Sequence, residues 1–417
     1  MSERKVKALE CRECGKEYPP EIRNTCEICF GPLEVKYNWD AIDVTRRDIE
    51  SRRPTMWRYV DLLPVEDRSS VVEMGTGYNH LYEAENLADE LGISELHILN
   101  DSVNPSFSFK DRVTGVAIAR AQDFDVDAVG CASTGNLAAS VASHAAKADL
   151  PAYIFLPDSI EESKITQTLA YDPEIVPVTG NYDDANRLAS EVADENDYGF
   201  VNINLRPYYT EGSCTMAYEV AEQLGWRTPD HVVHPMAAGA SLLSVQKGFR
   251  MLEKAGLVDD ADVRMSGSQP EEFPITRAVR DDENVTPIDD YDTLAHSLAI
   301  GNPADGFYAK DAILDSGGYA ADPDDDAIIE GVKLLARTEG IFTEPAGGTT
   351  IAGLKQLVEE GHVEEDESVV VNITGNGLKA EETLGEYVDA PESIDASLKE
   401  FRNRDEKGRE TKTLVAD

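Results

Sequence analysis

The sequence predicts an α/β protein built on parallel sheets. Strand-like apolar runs alternate with helix-like segments and are bounded by Gly, Pro and Asp, the pattern of parallel strands covered on both faces. Three of these runs empty into turns of small residues. A length of 417 residues exceeds one ordinary domain and leaves room for two or three, each with its own core.

The first feature along the chain is a set of four cysteines. Cys11 and Cys14 are followed, after eleven residues, by Cys26 and Cys29. A two-residue gap lets both thiolates of a knuckle face one ion, so four soft ligands close a tetrahedron around Zn²⁺. Two disulfides or a redox pair are the alternatives, which a reducing cytosol disfavours. Four thiolates leave no open position for water, so such a metal is structural. Zinc ribbons often bind nucleic acid, but Glu10, Glu13, Glu17, Glu21 and Glu27 crowd this one.

From Tyr37 to about Ser70 the pattern is a connector with the first helices, and 71–81 holds a glycine-rich turn. His80 in that turn is open to two readings, a catalytic acid or base and an adaptable hydrogen-bonding residue. Strand-like 96–99 then leads to 100–112, which sets a single lysine, Lys110, between Phe109 and Asp111 at the mouth of a helix running to Ala121. An apolar neighbour and the cationic Arg112 both tend to lower a lysine pKa, and a lysine needs that to form a Schiff base near neutral pH. The alternative is a lysine on a solvated helix face.

Ala128 to Ala132 is strand-like and opens through Ser133-Thr-Gly-Asn136 into a helix. Strands are expected at 151–156, 175–178 and 200–204, with helices at 161–170 and 182–196 between them. His231 to His234 runs into Met236-Ala-Ala-Gly-Ala-Ser241, and Ser368 to Ile373 into Thr374-Gly-Asn-Gly-Leu-Lys379. Three such junctions with exposed amides and hydroxyls, plus one lysine, are what an anionic aromatic cofactor requires. From Ala390 onward the chain is polar, and a loosely held tail is expected.

The net charge of −42, from 80 acidic and 38 basic residues, is spread along the whole length. Acidity of this kind suits a high-salt cytosol, where screening removes self-repulsion. Runs such as 324–326 and 364–367 read as solvated surface rather than cation sites. The charge argues against binding to nucleic acid or to an anionic membrane through the bulk surface. The N-terminus lacks an apolar leader-like stretch, and no apolar run approaches the roughly 18 residues of a membrane span, so a cytoplasmic location is expected.

Six stretches in this order, 99–105 with 108–112, 130–136, 202–209, 297–303, 339–348 and 373–379, resemble the fold-type II pyridoxal-phosphate enzymes, and most closely the threonine synthases. The likeness runs from about Trp57 to Lys379, and the ribbon is similar to those that precede many archaeal-type members. The resemblance implies a tryptophan synthase beta-like architecture. A zinc ribbon at 1–38 would be followed by a large cofactor-binding domain from 39–118 and 205–390, a smaller α/β domain inserted at 119–204, and a polar tail at 391–417. It further implies that Lys110 holds pyridoxal phosphate covalently and shuttles protons, and that Asn136 bonds the ring's 3-oxygen. Ala237, Ala238, Gly239, Ala240 and Ser241 would cradle the cofactor phosphate, and Thr374 would face the pyridine nitrogen.

Ser133 and Thr134 would meet the substrate carboxylate, and Asn204 and Arg206 the substrate phosphate. The implied activity is that of a lyase of threonine biosynthesis, converting O-phospho-L-homoserine and water to L-threonine and phosphate by γ-elimination and β-replacement. The implied partner is a small phosphorylated amino acid, with no nucleic acid or membrane, and a homodimer is an admissible assembly. Three departures stand out: Asn79-His80 where Thr-Pro is usual, alanines in the 236–241 turn, and Cys214 where related enzymes commonly have lysine. Alternatives within the same resemblance are a cysteate synthase acting on O-phosphoserine, a serine/threonine ammonia-lyase, or a catalytically quiet cofactor-binding regulator.

Overall fold

The computed structural model describes residues 4–160, 162–388, 391 and 393–404. In the ribbon, β1 (Val6–Cys11) pairs antiparallel with β2 (Glu17–Tyr18) on one side and β3 (Leu33–Tyr37) on the other. Along β3, Leu33, Val35 and Tyr37 turn inward while Glu34 and Lys36 stay half-exposed, the period of two that a one-faced sheet requires. Those inward side chains join the main core with Leu9, Ile49 and Tyr59, so the ribbon is packed onto the body. The Tyr37 hydroxyl also donates to Glu211 at 2.9 Å.

The large sheet begins with β4 (Leu81–Glu83) and β5 (Glu95–Asn100). A separate four-stranded sheet follows from β6 (Ala128–Ala132), β7 (Ala152–Pro157), β8 (Glu174–Val178) and β9 (Tyr198–Phe200), in the order β8-β7-β6-β9 and parallel throughout. The large sheet is then completed by β10 (His231–Pro235), β11 (Arg264–Ser268), β12 (Ala320–Ala321) and β13 (Ser368–Ile373). Its order is β12-β11-β10-β13-β5-β4, and only the β4–β5 pair is antiparallel. Every residue of β6, β10 and β13 is buried, as expected of central strands with helices on both faces.

The strand expected at 200–204 stops at Phe200. A turn ends it, with the Ile203 and Leu205 N–H groups both donating to the Phe200 carbonyl at 3.1 Å, while Asn204 covers the strand's free edge: its Oδ1 accepts the Phe200 N–H and its Nδ2 donates to the Tyr198 carbonyl, both at 2.8 Å. Packing divides the chain after Ala380, and the segment from Glu381 forms its own unit, beginning with the short helix Glu381–Gly385. The tail expected at 391–417 falls within this second unit. Residues 405–417 of that tail lie outside the described residues.

Because β5, β13 and β10 are parallel neighbours, their carboxyl ends share one edge of the sheet, with Asn100 opposite Ile373. The lysine segment, the Thr374 turn and the Met236–Ser241 turn all leave from that edge. In open parallel sheets this is where ligands bind.

Candidate active site

Lys110 is the first residue of the helix Lys110–Asp123. The segment before it is stitched to the Thr374 turn: Phe109 N–H donates to the Thr374 carbonyl at 2.9 Å, and Ser108 bridges Gly375. The amine lies 4.4 Å from the centroid of the Phe109 ring and 3.4 Å from the Tyr209 hydroxyl. Burial pulls its pKa down to about 8, against the opposing pull of the Glu344 carboxylate.

Arg112 does not supply the second push expected of it. Two residues along a helix face nearly opposite ways, and Arg112 is fully buried between two carboxylates, held by Asp101 at 2.7 Å and by Glu219 at 2.7 Å. Asn79 belongs to the same network, donating to Asp101 at 2.6 Å and to Asn104 at 3.2 Å. His80 is exposed and packs edge-on against Tyr82, 4.7 Å between centroids.

The structure brings Asn136 to the lysine through a residue to which sequence reading gave no role. Asn136, the first residue of the helix Asn136–Ala148, donates from Nδ2 to both oxygens of Glu344, at 3.2 and 3.0 Å. Glu344 is buried, and burial raises its pKa, with Asn136, Lys379 and Lys110 pulling the other way. Gly375 lies flat against this carboxylate, since a Cβ there would stand 2.3 Å from Oε1. The available signal was the Thr-Glu-Pro run of 343–345, which starts a helix. The partner amide lies 208 residues away and leaves no local trace.

The turn after β10 has the form of an anion cradle. Gly239 precedes the helix Ala240–Lys254 at φ +95°, a conformation that favours glycine, and a Cβ there would stand 2.7 Å from that of Ala309. Behind the turn, Gln269 donates to the Ala237 carbonyl at 2.9 Å and Asp305 N–H to the Ala238 carbonyl at 3.2 Å, which fixes these peptide planes. The Ser241 hydroxyl is 2.9 Å from Nε2 of His234, whose pKa burial pushes down to about 4, so the imidazole is neutral. A helix N-terminus with fixed small residues, an amine with a lowered pKa and a buried threonine hydroxyl at Thr374 together suit pyridoxal phosphate.

Ser133 and Thr134 are half-buried just before Asn136, and the Ser133 hydroxyl accepts the Gly135 N–H at 3.3 Å. Asn204 and Arg206 are not used alike. Asn204 spends its amide on the backbone, whereas Arg206 pairs with the buried carboxylate of Asp305. Cys214 is buried, and burial raises its thiol pKa. The cation absent from that position stands nearby on the next helix, where Lys247 reaches Glu211 at 2.5 Å. In the ribbon, the four cysteine sulfurs lie within 4.8 Å of one another, with Cys11 to Cys29 at 3.4 Å and Cys14 to Cys26 at 3.7 Å. Tetrahedral zinc with Zn–S bonds of about 2.3 Å needs sulfurs about 3.8 Å apart, so the set fits.

The sequence pattern of the pyridoxal-phosphate dependent enzymes matches residues 72–375, a span that includes Lys110, Asn136, the 236–241 turn, Glu344 and Thr374. The chain belongs to that family. This pyridoxal-phosphate dependent enzyme is 39% identical over 394 residues to the threonine synthase of Methanocaldococcus jannaschii, covering 93% of this chain and 96% of that protein. It is 35% identical over 398 residues to the threonine synthase of Methanosarcina acetivorans, covering 94% and 97%. Among solved structures, threonine deaminase isoform 2 of Solanum lycopersicum superposes with a TM-score of 0.62 at 21% identity, over 74% of this chain and 82% of that one. O-ureido-L-serine synthase superposes equally well, with a TM-score of 0.62 at 20% identity over 76% and 94%. Identities this low speak to the fold, which is that of this enzyme family. No helix among the described residues is long and apolar enough to cross a membrane.

Proposed function

We propose that this chain is a threonine synthase, turning O-phospho-L-homoserine and water into L-threonine and phosphate. The observation that carries the reading is the near end-to-end likeness to the M. jannaschii threonine synthase. Bound at Lys110, pyridoxal phosphate supplies an electron sink for the charge that builds up on the substrate's α-carbon. Lys110 takes protons from Cα and then from Cβ, and a pKa of about 8 lets its amine accept and return them near neutral pH. Thr374 would offer the ring nitrogen a neutral hydroxyl, which could not hold a full positive charge there and so would favour elimination and replacement over transamination.

Asn136, aimed by Glu344, would bond the ring's 3-oxygen, and residues 237–241 would hold the cofactor phosphate. Ser133 and Thr134 receive the substrate carboxylate and Arg206 its phosphate. Asn204 supports the turn that carries Arg206. Phosphate leaves from Cγ and water adds at Cβ. We assign Zn²⁺ to Cys11, Cys14, Cys26 and Cys29, the domain at 119–204 to the four-stranded sheet, and the large domain to the six-stranded one. A high-salt cytoplasm completes the reading, supported by the acidity of the chain.

The test is to incubate the purified protein in high salt with O-phosphohomoserine, O-phosphoserine and threonine separately. Threonine and phosphate in equal amounts, from the first alone, are expected. Ammonia and a keto acid from threonine, or turnover of O-phosphoserine alone, would reassign the enzyme within its family.

A further inference from the structure

Arg12 follows Cys11 in the first knuckle of the ribbon, yet its side chain serves the body of the protein. The guanidinium pairs with Glu34 of β3, lies over the Tyr308 ring 4.2 Å from its centroid, and places Nη1 3.6 Å from Oδ1 of Asp305. The other carboxylate oxygen, Oδ2, is bonded by Arg206. Asp305 is 2% exposed, and its backbone N–H is bonded to Ala238 in the cradle turn. Tyr308 donates to Glu13, a second residue of the same knuckle. One buried carboxylate thus meets the ribbon, the cofactor-phosphate turn and Arg206. Arg12, Glu34, Arg206, Lys247 and Asp305 line one cavity of about 360 Å³.

We propose that Arg12 is a positioning residue for the substrate phosphate, acting through Asp305 on Arg206. This rests on reading the substrate as a phosphorylated amino acid. With Arg12 on Oδ1, Asp305 holds Arg206 through one oxygen and leaves most of its planar fork free for an anion. Without Arg12, both oxygens turn to Arg206, which becomes a closed bidentate pair with its charge cancelled. Metal at the knuckle fixes the backbone from which Arg12 projects, so the ribbon tunes anion binding without touching the anion.

The experiment compares wild-type, Arg12→Ala and Arg12→Lys holoenzymes in one high-salt buffer. Bound zinc, the absorbance of the bound cofactor, and kcat and KM for O-phosphohomoserine are measured. The half-saturating concentration of inorganic phosphate is read from its effect on the cofactor absorbance. Arg12→Ala is expected to keep zinc and cofactor but to raise KM and the phosphate half-saturation by about tenfold, with kcat little changed. Arg12→Lys should recover most of the loss.

Unchanged KM and phosphate response would overturn the proposal, as would a wild type whose cofactor absorbance does not respond to phosphate. A wild type that responds to phosphate but forms no threonine defeats the proposed function, and the Arg12 relay is then judged on phosphate alone. Should Arg12→Ala fail to fold, zinc is stripped from wild-type holoenzyme by a chelator. The same weakening of the phosphate response with cofactor retained supports the relay, and an unchanged response refutes it.

Discussion

Lys110 sits where its amine has lost much of its contact with water, and this sets how it works. At pH 7 most of the amine is protonated, and the neutral form grows as the pH approaches about 8. Reconstitution of the cofactor-free protein with pyridoxal phosphate should therefore speed up about tenfold per pH unit below 8 and level off above it. Glu344 holds that pKa up, so Glu344→Gln should move the midpoint down by about one unit. A midpoint that stays put or rises contradicts the electrostatic pull assigned to Glu344, and stopped-flow absorbance against pH reads it directly. Lys110 stood out in the sequence because three small-residue turns after strands accompany the one lysine between Phe109 and Asp111. Glu344 did not, because its burial depends on Asn136, which only the fold brings to it.

Among elements, the strands that could be read from sequence are those with continuous apolar runs. β5, β6, β7, β10 and β13 fall within a residue or two of expectation, because central parallel strands are apolar on both faces, and β8 does so as an edge strand whose Ile-Val-Pro-Val run is only half-buried. β12 is two residues long and β11 reads Arg-Met-Ser-Gly-Ser, so neither carries a hydrophobic period of its own. The helix from Lys110 is anchored by the Arg112 network, which ties β5's outlet through Asp101 to the helix Cys214–Gln223 through Glu219. Replacing Arg112 with Met leaves two buried carboxylates without their cation. That should cost about 3–5 kcal/mol of stability in urea unfolding, and a cost under about 1 kcal/mol would show that the network is dispensable.

At the scale of the whole molecule, a charge of −42 acts on every part of the surface at once. Close-range ion pairs within the body are screened less than these distant like charges, so salt should favour the folded state. The melting temperature is expected to climb steadily from about 0.1 M to about 2 M KCl, and a flat or falling curve would remove the case for a high-salt setting. Parallel sheets were foreseeable from the alternation of strand and helix, and the ribbon from cysteine spacing, whereas the division into two sheets came from the family resemblance. How the ribbon meets the site was not foreseeable, since Arg12 and Asp305 reveal nothing until they are neighbours.

All of this converges on the ε-nitrogen of Lys110. Borohydride reduction of the purified holoenzyme followed by peptide mass spectrometry tests that most directly. A single phosphopyridoxyl adduct is expected, on the peptide containing Lys110. An adduct on Lys247, Lys379 or any other lysine, or none at all, would contradict it.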